Sequence, residues 1–157
     1  MATLKEATEE FLARKRIAVA GVSRSSGQAA NLVYRRLRDR GHTVFAVNPN
    51  AETVEGDRCY ADLKSIPDGV DAVVVATTPT VAERVVEECA ELGIERVWLH
   101  RSFGTGSVSE KALAYGRAHG VQVIAGGCPC MFGHTADPGH RLMRGILTLT
   151  RGLPKEA

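Results

Sequence analysis

A regular alternation of short β-branched runs with amphipathic stretches of ten or more residues governs what this chain can fold into. Ile17-Ala18-Val19-Ala20 ends at Gly21, and Thr43-Val44-Phe45-Ala46-Val47 stops at Asn48-Pro49-Asn50. Asp71-Ala72-Val73-Val74-Val75-Ala76 ends at Thr77-Thr78-Pro79 and is apolar enough for a central strand buried on both faces. Arg96-Val97-Trp98-Leu99 and Gln122-Val123-Ile124-Ala125 complete the set. Between them, residues 31–40 carry Leu32, Val33 and Leu37 on one helical face, with Arg35, Arg36, Arg38 and Asp39 opposite. Val81, Val85, Val86 and Cys89 mark a helix running to Leu92, and residues 107–119 read as another. Gly41, Gly93 and Gly120 follow these helices, as residues tolerant of positive φ should.

Strands separated by helices pair in parallel through right-handed crossovers. The expected fold is therefore α/β, a single-domain, doubly wound parallel sheet of Rossmann-like architecture with flanking N- and C-terminal helices. Residues 1–15 read as the N-terminal helix, 16–135 as the Rossmann-like domain and 136–157 as the C-terminal helix and tail. Residues 51–68 form a long polar connection, with a short extended piece near Arg58-Cys59-Tyr60 and a helical turn at 61–65.

Composition removes several function classes. The 157 residues carry 20 Lys and Arg against 18 Asp and Glu, and a net charge of +2 is too small for a surface that coats nucleic acid or anionic membrane. One Trp, three Tyr and four Phe are too few for a platform that stacks single strands. No apolar run reaches the roughly 20 residues that span a bilayer, and the N-terminus lacks the apolar centre of a signal peptide. With Cys59, Cys89, Cys128 and Cys130 as the only cysteines, the expected setting is the reducing cytoplasm.

Ligands of such sheets sit beyond the carboxyl ends of the strands, beside the first one. Here that position reads Gly21-Val22-Ser23-Arg24-Ser25-Ser26-Gly27-Gln28. Gly21 permits a tight turn, Gly27 lets backbone approach a phosphate, the serines offer hydroxyls and Arg24 a permanent cation. The following helix adds unpaired N–H groups. A plain βα loop whose glycines serve only turn geometry is the alternative. The dinucleotide fingerprint is absent, because Ser23 stands where a second glycine belongs, and no carboxylate follows Val47 until Glu52 to hold a ribose. A P-loop lysine is missing too.

Gly21-Val22-Ser23 with Gly27, Asn48-Pro49, Thr77-Thr78-Pro79 and Gly126-Gly127-Cys128-Pro129, each after a strand, together resemble the CoA-binding domain family over about residues 14–135. That family includes the N-terminal domain of the succinyl-CoA synthetase alpha subunit and small stand-alone bacterial proteins. The resemblance implies a small, non-catalytic protein that binds CoA or acyl-CoA, with the pyrophosphate at Gly21, Val22, Ser23, Arg24, Ser26, Gly27 and Gln28. It implies adenosine beside Val47, Asn48 and Pro49, and the adenosine or the start of the pantetheine arm beside Thr77, Thr78 and Pro79. Asn50 stands where the family often has a basic residue, so a 3′-phosphate falls to Arg24 or another nearby cation. The family's ligase chemistry uses a histidine in a further domain and is not expected here. The alternatives are an NAD(P)-binding oxidoreductase, with NADP as cofactor, or a thiol-dependent acyl or redox protein using Cys128.

The other concentration of reactive groups is Cys128-Pro129-Cys130-Met131-Phe132-Gly133-His134, followed by Asp137 and His140. Two thiols and the two imidazoles of His134 and His140 could make a tetrahedral zinc site, but no metal site is expected, because C-x-C-x3-H-x5-H lacks the two-residue knuckle common between cysteine ligands; Cys128, Cys130 and His134 are the first candidates if one exists. No catalytic residue is expected either, and Cys128, with His134 or Arg101 to acidify it, and His100 are the candidates. The bland reading makes Cys128 and Cys130 packing residues and His100 a loop histidine, with Cys59 and Cys89 as core fillers. Phe103-Gly104-Thr105-Gly106 reads as a loop able to fold over a ligand. Residues 141–151 gather Leu142, Met143, Ile146, Leu147 and Leu149 among Arg141, Arg144 and Arg151, an amphipathic helix that covers the sheet or joins two copies as a homodimer.

Overall fold

The structure is a computed structural model and describes residues 2–102, 104–150, 152–154 and 157. In chain order the elements are α1 (Leu4–Leu12), β1 (Arg16–Ala20), α2 (Ala29–Asp39), β2 (Thr43–Val47), β3 (Thr53–Val54), β4 (Asp57–Tyr60), β5 (Ala72–Val75), α3 (Pro79–Glu91), β6 (Arg96–Leu99), α4 (Glu110–Ala118), β7 (Gln122–Ala125) and α5 (Pro138–Leu149). The strands form one sheet in the order β3-β4-β2-β1-β5-β6-β7. All neighbours are parallel except the β3–β4 hairpin. β1 lies between β2 and β5, with Ala20 level with both Val47 and Val75. The chain reverses its progress across the sheet there, and the three strand ends open on one edge. The doubly wound expectation holds.

Period-two alternation sorts the strand residues between two apolar layers. Ile17, Val19, Ala72, Val74, Trp98 and Ile124 face a layer shared with α1, α2 and α5. Ala18, Ala20, Val73, Val75, Val97, Leu99 and Val123 face the layer of α3 and α4. β5 is buried at every position, as its composition predicts. Trp98 is fully buried, meets Phe11 edge-on at 5.3 Å and Phe132 at 5.5 Å, and donates its indole N–H to the Gly126 carbonyl at 3.0 Å. α1 thus packs on the same core as the sheet, and its start is fixed by a capping box between Thr3 and Glu6.

Two expectations change. The polar connection after β2 contains two strands rather than one extended piece, because Glu55 and Gly56 both take positive φ and close a tight hairpin. Along β4 only Cys59 is buried, so this strand gives no apolar run. On α2 the buried face is Ala30, Asn31, Val33, Tyr34 and Leu37, whereas Leu32 is half-buried. The arginines of that helix are not simply solvated: Arg35 pairs with Glu55, Arg36 with Asp137 and Arg38 with Asp57, at 2.7–2.8 Å. Among the described residues no helix is long and apolar enough to cross a membrane.

Because Trp98 joins α1, the sheet and the turn after β7, Trp98→Ala should cost about 3–5 kcal/mol in urea unfolding. A loss below about 1 kcal/mol would show that these elements do not share one core.

Candidate functional site

The edge beyond β1 and β5 holds a cavity of about 340 Å³ lined by Gly21, Ser23, Gln28, Ala29, Ala30, Ala76, Thr77, His100, Gly106 and Ser107. Its floor depends on Gly21. That residue has φ +101°, and a Cβ there would stand 2.2 Å from the Ala76 carbonyl oxygen, so only glycine lets the two strand ends approach this closely. Gly27, by contrast, has open space where a side chain would be.

The loop from Ser23 to α2 is held from below by Asn31, which is fully buried. The Ser23 N–H donates to Asn31 Oδ1 at 2.9 Å, while Asn31 Nδ2 donates to the Ser23 carbonyl at 2.6 Å and to Glu55 Oε1 at 2.8 Å. Arg35 donates to Glu55 and to the Ser26 carbonyl, closing the circuit. The Asn31 hydrogen bond, then Arg35, holds the Glu55 carboxyl below its ordinary range. Ser23 Oγ accepts the Ser25 N–H at 3.0 Å. Arg24, Ser26, Gly27 and Gln28 are exposed. Gln28 caps α2 without any side-chain hydrogen bond, and the first turn carries no acidic residue. The leading amides of that helix are therefore free of a side-chain acceptor where they border the cavity, an arrangement that favours an anion.

On the facing side, Ser107 is buried and clasps Thr77, accepting its N–H and donating to its carbonyl, both at 2.7 Å. Thr78 is exposed and Pro79 opens α3, whose N-cap Thr78 also makes no side-chain bond. Val22 is fully buried and Val47 nearly so, so only their backbones reach this edge. Asn48 donates to the Val22 carbonyl at 2.9 Å and accepts the Asn50 N–H, which ties the β2 end to the glycine turn. Pro49 is exposed beside it. The cofactor candidates thus gather at one edge, in two groups: Gly21, Ser23, Gln28 and Thr77 line the cavity, while Val47, Asn48 and Pro49 flank it.

The other candidates separate. His100 lines the cavity, where burial and then the nearby His140 push its pKa down to about 4, so the imidazole is neutral at physiological pH. Arg101 is half-buried and donates to the Gly152 carbonyl at 3.2 Å, with no hydrogen bond to Cys128. Cys128 and Cys130 are buried. The hydrogen bond between them and burial push the Cys128 thiol up, whereas the same bond and Arg36 draw Cys130 down. His134 does not join them; its Nε2 meets Nε2 of His42 at 2.7 Å on the surface. His140 joins them instead, because Asp137 caps α5 and turns its first-turn imidazole inward. Of the predicted covering loop, Phe103 lies outside the described residues, and so does Arg151 at the C-terminal helix. A roomier groove of about 760 Å³ runs between α1 and α5, but it touches none of the strand ends.

Sequence reasoning missed Asn31, Glu55 and Ser107. A polar residue on an otherwise apolar helix face is the signal that finds Asn31, and the Glu-Gly turn between short alternating stretches is the one that finds Glu55.

A sequence model described as a CoA binding domain matches residues 15–134. The ADP-forming acetate–CoA ligase II of Archaeoglobus fulgidus is 30% identical over 119 residues, which cover 70% of this chain and 18% of that protein. The first four curated relatives are all acetate–CoA ligases or subunits of them, and the matched region spans only 13–27% of their length. The uncharacterized protein YneT of Bacillus subtilis is 30% identical over 125 residues, covering 79% of this chain and 90% of that one. Among solved structures, a hypothetical protein from Pyrococcus horikoshii superposes with a TM-score of 0.73 at 28% identity, over 80% of this chain and 86% of that one.

His100 folds with a pKa of about 4 against 6.5 unfolded, so the unfolded chain binds the extra proton between those values. Stability should therefore fall as pH drops from about 6.5 to 4, and His100→Gln should flatten that fall in pH-resolved urea unfolding. An unchanged slope in the variant would assign it elsewhere, with His134, also held low by burial, as the rival.

Proposed function

We propose, since this chain belongs to the CoA binding domain family, that it holds CoA or an acyl-CoA at the β1–α2 turn and acts as a binding protein without turnover of its own. The observation that carries this reading is the uncapped start of α2 beside a loop whose shape Asn31 fixes in advance. A diphosphate is the ligand group whose charge suits several aligned amides, and the Ser23, Ser25 and Ser26 hydroxyls add donors without adding a counter-charge. In this reading Val47, Asn48 and Pro49 border the adenosine, Thr77, Thr78 and Pro79 the start of the pantetheine arm, and Arg24 meets the 3′-phosphate.

An NAD reading is disfavoured because Asn48, already bonded to Val22, follows β2 where a ribose-binding carboxylate belongs. NADP remains the rival cofactor, since Arg24 could meet its 2′-phosphate. Two features favour binding over chemistry: the Cys128 thiol is buried and holds its proton, and His100 is neutral and hydrogen-bonds only through its backbone among the described contacts. The ligase activity of the curated relatives is not carried over. Four free cysteines suit a reducing, cytoplasmic setting.

CoA should raise the thermal midpoint, by the equivalent of about 2.7 kcal/mol when free ligand is a hundredfold above Kd. Dephospho-CoA should bind more weakly, and Arg24→Ala should erase the difference between the two. No shift with CoA or acetyl-CoA, or a shift with NADP alone, would overturn the reading.

A second copy of the chain is the proposed protein partner. Leu142, Ile146 and Leu149 stand 68%, 44% and 86% exposed at successive turns of α5, whereas Leu147 faces the core. Light scattering should report a dimer that Ile146→Glu converts to monomer; a monomeric wild type would end this proposal.

A further inference from the structure

Two thiols and an imidazole converge where the turn after β7 meets the first turn of α5. One ligand atom from each of Cys128, Cys130 and His140 lies within 4.8 Å of the other two. Cys128 and Cys130 are almost wholly shielded from solvent and are not joined by a disulfide, and His140 is half-buried. Zn–S bonds near 2.3 Å and Zn–N bonds near 2.0–2.1 Å would bring tetrahedral donors to about 3.5–3.8 Å of one another. The three groups are thus within about 1 Å of closing on one ion.

We propose that Cys128, Cys130 and His140 form a zinc site. Its outer shell is already built. Asp137 Oδ1 accepts the His140 N–H at 2.9 Å, and Oδ2 lies 2.7 Å from Nδ1. A carboxylate at Nδ1 holds the proton there and leaves the Nε2 lone pair to coordinate, the usual carboxylate–histidine–metal arrangement. Arg36 in turn donates to the same Oδ2 at 2.7 Å and to the Thr135 carbonyl at 3.0 Å, so Asp137 is itself anchored from α2. The Arg36–Asp137 ion pair at 2.7 Å supplies that carboxylate with its counter-charge.

The charges balance as well. On binding, both thiols release their protons to solvent, and two thiolates neutralise Zn²⁺, while Arg36 neutralises Asp137. A buried site with no net charge avoids the cost of an isolated ion in apolar surroundings. Three protein donors leave one tetrahedral position for water or an external thiol. Of the two imidazoles that follow the cysteines in sequence, His140, ten residues after Cys130, is delivered by α5, whereas the nearer His134 is turned away toward His42. The inference does not rest on CoA binding, and each can fail alone.

The test uses the full chain, stripped with a chelator under a non-thiol reductant and titrated with Co²⁺. One equivalent should give a thiolate-to-cobalt charge-transfer band and intense tetrahedral visible bands, both displaced by one equivalent of Zn²⁺. Cys130→Ser and His140→Ala should lose the charge-transfer signal or the stoichiometry, with near-UV circular dichroism of the packed Trp98 checking that each variant is folded. Asp137→Asn, which retains a capping oxygen, should weaken Zn²⁺ by about 10–100-fold, marking Asp137 as a positioning residue. His134→Ala should bind as wild type does. A wild type without the charge-transfer band, a His140→Ala variant that binds one equivalent as tightly as wild type, or loss of binding in His134→Ala would each overturn the proposal.

Discussion

The candidate site depends on one buried carboxamide. Asn31 uses its oxygen and its amide group on both backbone groups of Ser23 and on Glu55, so the glycine turn, the second helix and the β3–β4 hairpin are locked to each other through a single side chain. Buried polar groups are costly when unpaired, and here each partner satisfies the others. If the loop holds CoA as proposed, it has its shape before the ligand arrives, and the ordering cost that a flexible loop would impose on binding is reduced.

The same logic extends along α2. One face of the helix packs on β1 and β2, while Arg35, Arg36 and Arg38 each reach a carboxylate from a different part of the chain: the hairpin turn, the start of α5 and β4. Partly exposed ion pairs add little stability singly. Their effect here is geometric, since they fix the direction of a helix whose first turn faces the ligand edge and whose middle supports the Cys128–Cys130–His140 cluster. Tyr34 adds a hydrogen bond to Asp57 at 2.8 Å, and burial, then Asp57, pushes its phenol far up.

Much of this was legible in the residues. Runs such as Val73-Val74-Val75, bounded by turn residues, carry their strand identity openly, and the glycine after β1 marks the tight turn that lines the cavity. β4 showed only as a short extended piece, because a strand with one buried residue carries no apolar run, and β3 was concealed because two residues are too short for periodicity. The arginines of α2 read as a solvated face, since sequence shows charge but not the carboxylates that folding brings from 19 to 101 residues away. Both His134 and His140 follow the cysteines in sequence, and only the start of α5 reveals which imidazole turns toward them.

In the proposed reading the amides opening α2 face an anionic diphosphate. A CoA titration followed by backbone amide resonances tests it most directly. The largest shifts should fall within residues 21–30 and at Thr77, with the opposite edge near Asp71 and Arg96 unmoved. Shifts centred instead on the groove between α1 and α5, with residues 21–30 silent, would contradict it.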